Sequence, residues 1–187
     1  MKFGLCKGDI LTKEQVNLIA SSEEYDRAKQ KALRYISYRM RSEKELRTKL
    51  TEEEFPPSVI DRTIEQMYTL GLMNDAEFAR LFVHDQQLRR PSGKRVLTQK
   101  LRLKGISNSI IQQVFAETIS GDEERAIALM AAKKYLKQRT HVRDKAERLK
   151  EQRRVAQFLA RRGFDWSTIS TVLRTLFKSE TVSHEEA

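Results

Sequence analysis

Apolar residues return at intervals of three and four along nearly the whole chain, and short polar or turn-forming stretches break the pattern. That pattern predicts helices. One helix runs from Ser22 to about Met40 and turns Ala28, Ala32, Leu33 and Ile36 inward. Ser42, with Glu45 three residues on, reads as a capping box ahead of Leu46 and Leu50 on one face. Phe55-Pro56-Pro57 ends that helix and presets the next, which points Val59, Ile60, Ile64, Met67 and Leu70 inward and stops at Gly71. The cycle then restarts. Asn74 caps a helix carrying Phe78, Leu81, Phe82 and Val83. Pro91-Ser92-Gly93 breaks it, a second helix carries Val96, Leu97 and Leu101 to Gly105, and a third begins at Ser107 with Ile110, Ile111, Val114 and Phe115. A third cycle opens at Gly121-Asp122 with Ala126, Leu129 and Met130. It continues in a longer, highly charged helix, 144–162, and closes with Ile169, Val172, Leu173 and Leu176.

The fold read from this is all-α: three tandem three-helix repeats, with a period of roughly 50 residues, forming an elongated or curved array. The expected boundaries are 24–73, 74–120 and 121–177, with a polar tail at 178–187. Residues 1–23 stand apart. Phe3 and Leu5 alternate with polar neighbours as a short strand would, and Thr12 with Gln15 makes a capping box for a short helix. This segment reads as the remnant of an N-terminal extension.

The repeats agree position by position. Leu46, Leu97 and Val155 correspond, as do Leu50, Leu101 and Leu159, then Phe55, Ile106 and Phe164, then Ile60, Ile111 and Ile169. In KLRLKGI (100–106) and FLARRGF (158–164) the spacing of leucine, glycine and a final apolar residue fits a Schellman helix stop. Gly105 and Gly163 then take the left-handed position. KLTEEEF (49–55) keeps the apolar pair but has Glu54 at the glycine position. A left-handed glutamate costs on the order of 1 kcal/mol, so a different cap geometry, set by Pro56, is expected there.

Charge changes the picture next. Lys and Arg number 36 against 26 Asp and Glu, a net charge of +10, which points to a polyanion or to a partner holding one. The cations cluster at the ends of the first helices and on the second helices. They are Arg39, Arg41, Lys44, Arg47 and Lys49; Arg89, Arg90, Lys94, Arg95, Lys100, Arg102 and Lys104; and Arg153, Arg154, Arg161 and Arg162. Repeated at each unit, they predict a basic stripe that contacts nucleic-acid backbone or an anionic partner surface. The alternative is a set of solvated helix faces with cations favoured near helix C-termini. Helix, glycine turn, helix also resembles a DNA-reading helix-turn-helix. The third helices, 57–70, 107–119 and 165–177, argue against that reading because they offer too few Arg or Lys to base edges.

No catalytic constellation emerges. His84, His141 and His184 match no zinc spacing with Cys6, no glycine-rich phosphate loop is present, and no nucleophile signature appears. Asn74-Asp75 reads as a helix cap rather than a metal site, and Trp166 as a core or inter-helix anchor. No metal or cofactor is expected. One cysteine, no long apolar run and no signal-peptide core place the chain in the cytoplasm, off the membrane.

Four stretches then carry a resemblance: ALRYISYRMRSEKELRTKL (32–50), LGLMNDAEFAR (70–80), SGKRVLTQKLRLKGI (92–106) and VAQFLARRGFDWSTI (155–169). Together they resemble the RecX family, bacterial regulators of the RecA recombinase. Glu54 departs from that family's pattern where a glycine often stands, as does Asn74 where an acidic residue often precedes the aspartate. The resemblance implies a monomeric, non-enzymatic modulator. It would bind the groove of the RecA filament on single-stranded DNA and inhibit its ATPase, strand-exchange and coprotease activities, so regulating recombination, DNA repair and the SOS response. The competing reading is a stand-alone nucleic-acid-binding protein, for single- or double-stranded DNA or RNA. Stacking aromatics beside the cations would discriminate the two, with Tyr35, Tyr38 and Tyr135 as candidates. The stripe predicts that reversing Arg89, Arg90, Lys94 and Arg95 weakens inhibition without unfolding the chain.

Overall fold

The structure, a computed structural model, describes residues 10–137 and 145–178. Among these it holds nine helices and no strand: α1 (Lys13–Tyr38), α2 (Glu43–Glu52), α3 (Pro57–Thr69), α4 (Asp75–Arg89), α5 (Lys94–Leu103), α6 (Asn108–Thr118), α7 (Gly121–Lys137), α8 (Lys145–Arg161) and α9 (Trp166–Lys178). The chain divides into two compact units, Met1–Phe78 and Ala79–Ala187, with the division inside α4.

In the first unit, α1, α2 and α3 pack on one another. Ala28 and Ala32 of α1 meet Leu46 and Leu50 of α2 and Phe55, Val59, Ile60, Ile64 and Met67 of the turn and α3. Small alanines on α1 let its backbone approach the larger side chains opposite. Leu33, one position off this stripe, is exposed, as is Leu70 at the end of α3. In the second unit, Leu97, Leu101, Ile106, Ile111, Val114 and Phe115 are buried in the second repeat. The third repeat has its own core of Ala128, Ala131, Ala132, Val155, Leu159, Phe164, Ile169 and Val172. Leu81 and Met130, expected inside, are exposed. Every member of the four corresponding sets is buried, so the internal match is a match of core positions.

Two expectations are corrected. The short N-terminal helix and the helix expected from Ser22 are one element. Thr12 accepts from the Gln15 N–H at 3.2 Å while Gln15 returns a bond to Thr12, and the helix so begun continues to Tyr38. No Gly or Pro stands between Lys13 and Tyr38 to stop it. The strand expected at Phe3 and Leu5, and Cys6, lie outside the described residues.

The second correction concerns Glu54. It takes φ 63°, beside φ 86° at Gly105 and 85° at Gly163. The Phe55, Ile106 and Phe164 N–H groups donate back to Leu50, Leu101 and Leu159 at 3.3, 3.0 and 3.2 Å. Those of Glu54, Gly105 and Gly163 donate to Thr51, Arg102 and Ala160 at 2.9, 2.9 and 3.0 Å. All three second helices therefore end in the same Schellman stop. The bonds and the Leu50–Phe55 pair hold the geometry at Glu54 despite its side chain.

Candidate functional site

The net charge is unevenly divided. Residues 1–78 hold 13 Lys and Arg against 14 Asp and Glu, a net −1; residues 79–187 hold 23 against 12, a net +11. All of the chain's +10 thus falls in the second unit.

Most cations of the first unit are engaged within it. Arg39 pairs with Glu45 at 2.8 Å, Arg47 bridges Glu43 at 2.7 Å and Asp61 at 2.5 Å, and Lys49 meets Glu52 at 2.5 Å. The bonds to Glu43 and Asp61 raise the pKa of Arg47, fixing its charge. Arg41 donates to the Tyr35 carbonyl at 3.0 Å and lies over the Tyr35 ring, closing the end of α1. Lys44 is exposed and has no ion pair among the described residues.

The second unit brings together two stretches that the sequence presents 70 residues apart. The loop between α4 and α5, Arg90-Pro91-Ser92-Gly93, lies against the turn between α8 and α9. Gly93 N–H donates to the Arg162 carbonyl at 2.9 Å, and Arg95 N–H to the Gly163 carbonyl at 3.3 Å. The backbones are so close that a Cβ on Gly93 would stand 2.3 Å from the Gly163 oxygen, and one on Gly163 would stand 2.6 Å from the Val96 nitrogen. Side chains brace the joint. The Arg162 guanidinium donates to the Pro91 carbonyl at 3.0 Å and covers the Phe158 ring, and that of Arg95 donates to the Ala160 carbonyl at 3.1 Å. Burial, with repulsion from nearby Arg90, pulls the Arg162 pKa down.

A carboxylate from a following first helix caps each of two second helices. Asp75 of α4 accepts from the Glu43 N–H at 3.1 Å, and Glu124 of α7 accepts from the Lys94 N–H at 3.2 Å. Burial raises the Asp75 pKa. Glu124 is itself buried, 3.6 Å from the Lys94 ammonium. Asn74 caps α4 by accepting from the N–H groups of Ala76 and Glu77, both at 3.0 Å.

The cations singled out in the sequence therefore differ in what they do. Arg41, Lys94, Arg95 and Arg162 brace the fold. Arg39, Arg47, Lys49, Arg89 with Asp85, and Arg154 with Glu151 sit in ion pairs. Lys100 reaches Gln86 at 2.7 Å and Arg102 reaches Asn108 at 2.8 Å, while Lys104 is half-buried with an interaction of its own. Lys44, Arg90, Arg153 and Arg161 remain exposed and, among the described residues, without an ion pair. Reversing Arg89, Arg90, Lys94 and Arg95 together would thus cut into the joint as well as the surface charge.

Aromatic positions shift too. Trp166, expected as an anchor, is 70% exposed in the first turn of α9, because the inward-facing positions there belong to Phe164 and Ile169. Tyr35 is half-buried, donates to Glu53 at 2.5 Å and lies under Arg41, and Tyr135, also half-buried, stacks on Phe158 at 4.5 Å, so both rings are already engaged within the fold. Tyr38 is exposed. Among the described residues no group of three or more His, Cys, Asp or Glu side chains is arranged to hold a metal, and no helix is long and apolar enough to cross a membrane. His141, His184 and Cys6 lie outside them.

Comparison with known proteins follows the repeat structure. Family models match in chain order: the first three-helix domain of RecX over residues 28–67, the second over 74–114 and the third over 122–173. The regulatory protein RecX of Clostridium acetobutylicum is 30% identical over 93% of this chain and 80% of its own length. Those of Clostridioides difficile and Bacillus velezensis are each 32% identical, over 93% and 100% of this chain and 79% and 70% of their own lengths. A crystal structure of a regulatory protein RecX aligns with a TM-score of 0.77 at 25% identity, covering 91% of this chain and 83% of that one. The crystal structure of RecX from Lactobacillus salivarius, 23% identical with a TM-score of 0.74 over 83% of this chain and 97% of its own, shares the fold.

Proposed function

The chain belongs to the RecX family, and on that premise we propose that it is a non-enzymatic cytoplasmic regulator of RecA. In this reading it binds the RecA filament on single-stranded DNA, in the filament groove, and inhibits ATPase, strand-exchange and coprotease activities. Recombination, repair and the SOS response are what it regulates. The observation that carries the proposal is the match to all three family domains, in order, across most of the chain.

The charge distribution supports it physically. A filament of protein on DNA presents phosphate and acidic side chains along one path. The second unit, at net +11, supplies long-range attraction to such a path. Attraction of this kind weakens steeply with salt. Lys44, Arg90, Arg153 and Arg161, which have no ion pair among the described residues, are the contact residues proposed from the sequence that have least work to do inside the fold.

A second reading, direct binding of nucleic acid, is favoured by one observation, the exposed Trp166 in the most basic part of the chain. A RecA ATPase titration on single-stranded DNA, run beside a direct binding assay on the same DNA without RecA, separates the two. Inhibition well below the concentration that saturates bare DNA supports the regulator. Binding to bare DNA with no inhibition at saturation overturns it.

A further inference from the structure

We propose that the third repeat carries a grip for single-stranded nucleic acid, built from the outward face of α8 and from Trp166 at the start of α9. It rests on the reading of this surface as a binder of polyanions, and its test keeps the two apart.

Lys150, Arg153, Gln157 and Arg161 are all exposed. They follow one another at intervals of three, four and four residues and so fall along one side of α8, about 16 Å from end to end. None has an ion pair among the described residues. Glu151, the one acid between Lys150 and Arg161, is buried and engages Arg154 instead. The result is a row of donors one helical turn apart with no internal neutralisation.

The earlier repeats lack this row. The positions of Arg153, Gln157 and Arg161 correspond to Lys44, Thr48 and Glu52 in the first repeat and to Arg95, Gln99 and Leu103 in the second. Lys49 neutralises Glu52, Arg95 is committed to the Ala160 carbonyl, and Leu103 is an exposed apolar residue. Trp166 corresponds to Pro57 and Asn108. The complete row and the exposed aromatic therefore occur together only in the third repeat.

That pairing selects the ligand. A row of cations alone suits any polyanion, including an acidic protein surface. An indole left in water on a helix otherwise buried on its inner face calls for a flat apolar partner, and an unpaired base supplies one. In a duplex the bases are already stacked, so the combination favours a single strand, with phosphates along α8 and a base on Trp166.

Trp166 is the chain's single tryptophan, so its fluorescence reports on this site alone. The test titrates the full chain with oligothymidylate between about 50 and 200 mM salt. Binding is followed by tryptophan emission and by anisotropy of labelled oligonucleotide. The expected result is saturable quenching. Lys150→Ala/Arg153→Ala/Arg161→Ala should weaken binding and lower the salt slope by about 2, and Trp166→Ala should weaken binding roughly tenfold with little change in slope. These side chains are exposed, so circular dichroism and the urea midpoint should stay near those of the unaltered chain. Binding by anisotropy with unchanged Trp166 emission, or unchanged binding by the triple variant, overturns the grip. So does a triple variant that binds oligonucleotide normally but no longer inhibits RecA, since the row would then be a protein-docking face. If the unaltered chain shows quenching and these losses in its variants but does not inhibit RecA, the grip stands and the RecA reading falls.

Discussion

At Glu54 a side chain stands where two equivalent turns use glycine, yet the backbone takes the same left-handed turn. The strain there is worth about 1 kcal/mol, partly offset in any glycine variant by the looser unfolded chain. Glu54→Gly should therefore stabilise the first unit modestly, by no more than about 1 kcal/mol, read as a rise in urea midpoint. Gly163 is the opposite case. Gly163→Ala must hold φ 85° and press a methyl against Val96, and should cost at least about 2 kcal/mol in the same assay. Asp165 sets a pH dependence. The Thr168 N–H, at 2.7 Å, holds its carboxyl below the usual range, helped by the Ser167 hydroxyl and the charge of Lys94. A depressed folded pKa contributes stability present above the unfolded value, near pH 4, and lost as the pH falls through the folded value. Asp165→Ser keeps a capping oxygen without the ionisation, so its urea midpoint should fall less between pH 7 and pH 3 than that of the unaltered chain. Asp75, raised by burial, runs the other way and gains as acid neutralises it.

At the scale of elements, helix starts and stops were the most legible feature. Ser42, Asn74 and Ser107 cap where their side chains predict, and Asp165 caps α9 in the same way, because a cap is a local bond between near neighbours. What could not be read was which distant element each helix end meets. FLARRGF reads as a helix stop, and so it is, but its Arg162 and Gly163 also form half of the joint with Gly93 and Arg95, a pairing across 70 residues that no periodicity encodes. The same limit explains the cations. Sequence placed Arg41, Lys94, Arg95 and Arg162 on a binding stripe, and only the folded chain shows that backbone carbonyls and Glu124 already hold them. Trp166 departs from the expected anchor because the inward positions around its turn belong to Phe164 and Ile169, which leaves the indole outside although aromatic residues are usually buried. Arg162→Ala should lower stability by roughly 1–3 kcal/mol, through loss of a charged hydrogen bond and of its cover over Phe158. Arg161→Ala, one residue earlier and exposed, should change the urea midpoint little.

For the molecule as a whole, the repeat count and the all-α class follow from core positions that recur in register, and the family match falls on the same three segments. The net charge is legible as a total and, at the boundary expected after residue 73, nearly as a division; the folded chain moves that boundary to Phe78, which brings Asp75 and Glu77 into the first unit. That division, −1 against +11, assigns attraction to a polyanion to the second unit, in keeping with the proposed regulation of a DNA-bound filament. The most direct measurement is the ATPase rate of RecA on single-stranded DNA as this protein is added, at two salt concentrations, beside its affinity for the same DNA alone. Inhibition is expected with a midpoint about tenfold or more below the bare-DNA dissociation constant, shifting upward with salt. An undiminished ATPase rate at concentrations that saturate the bare DNA would contradict it.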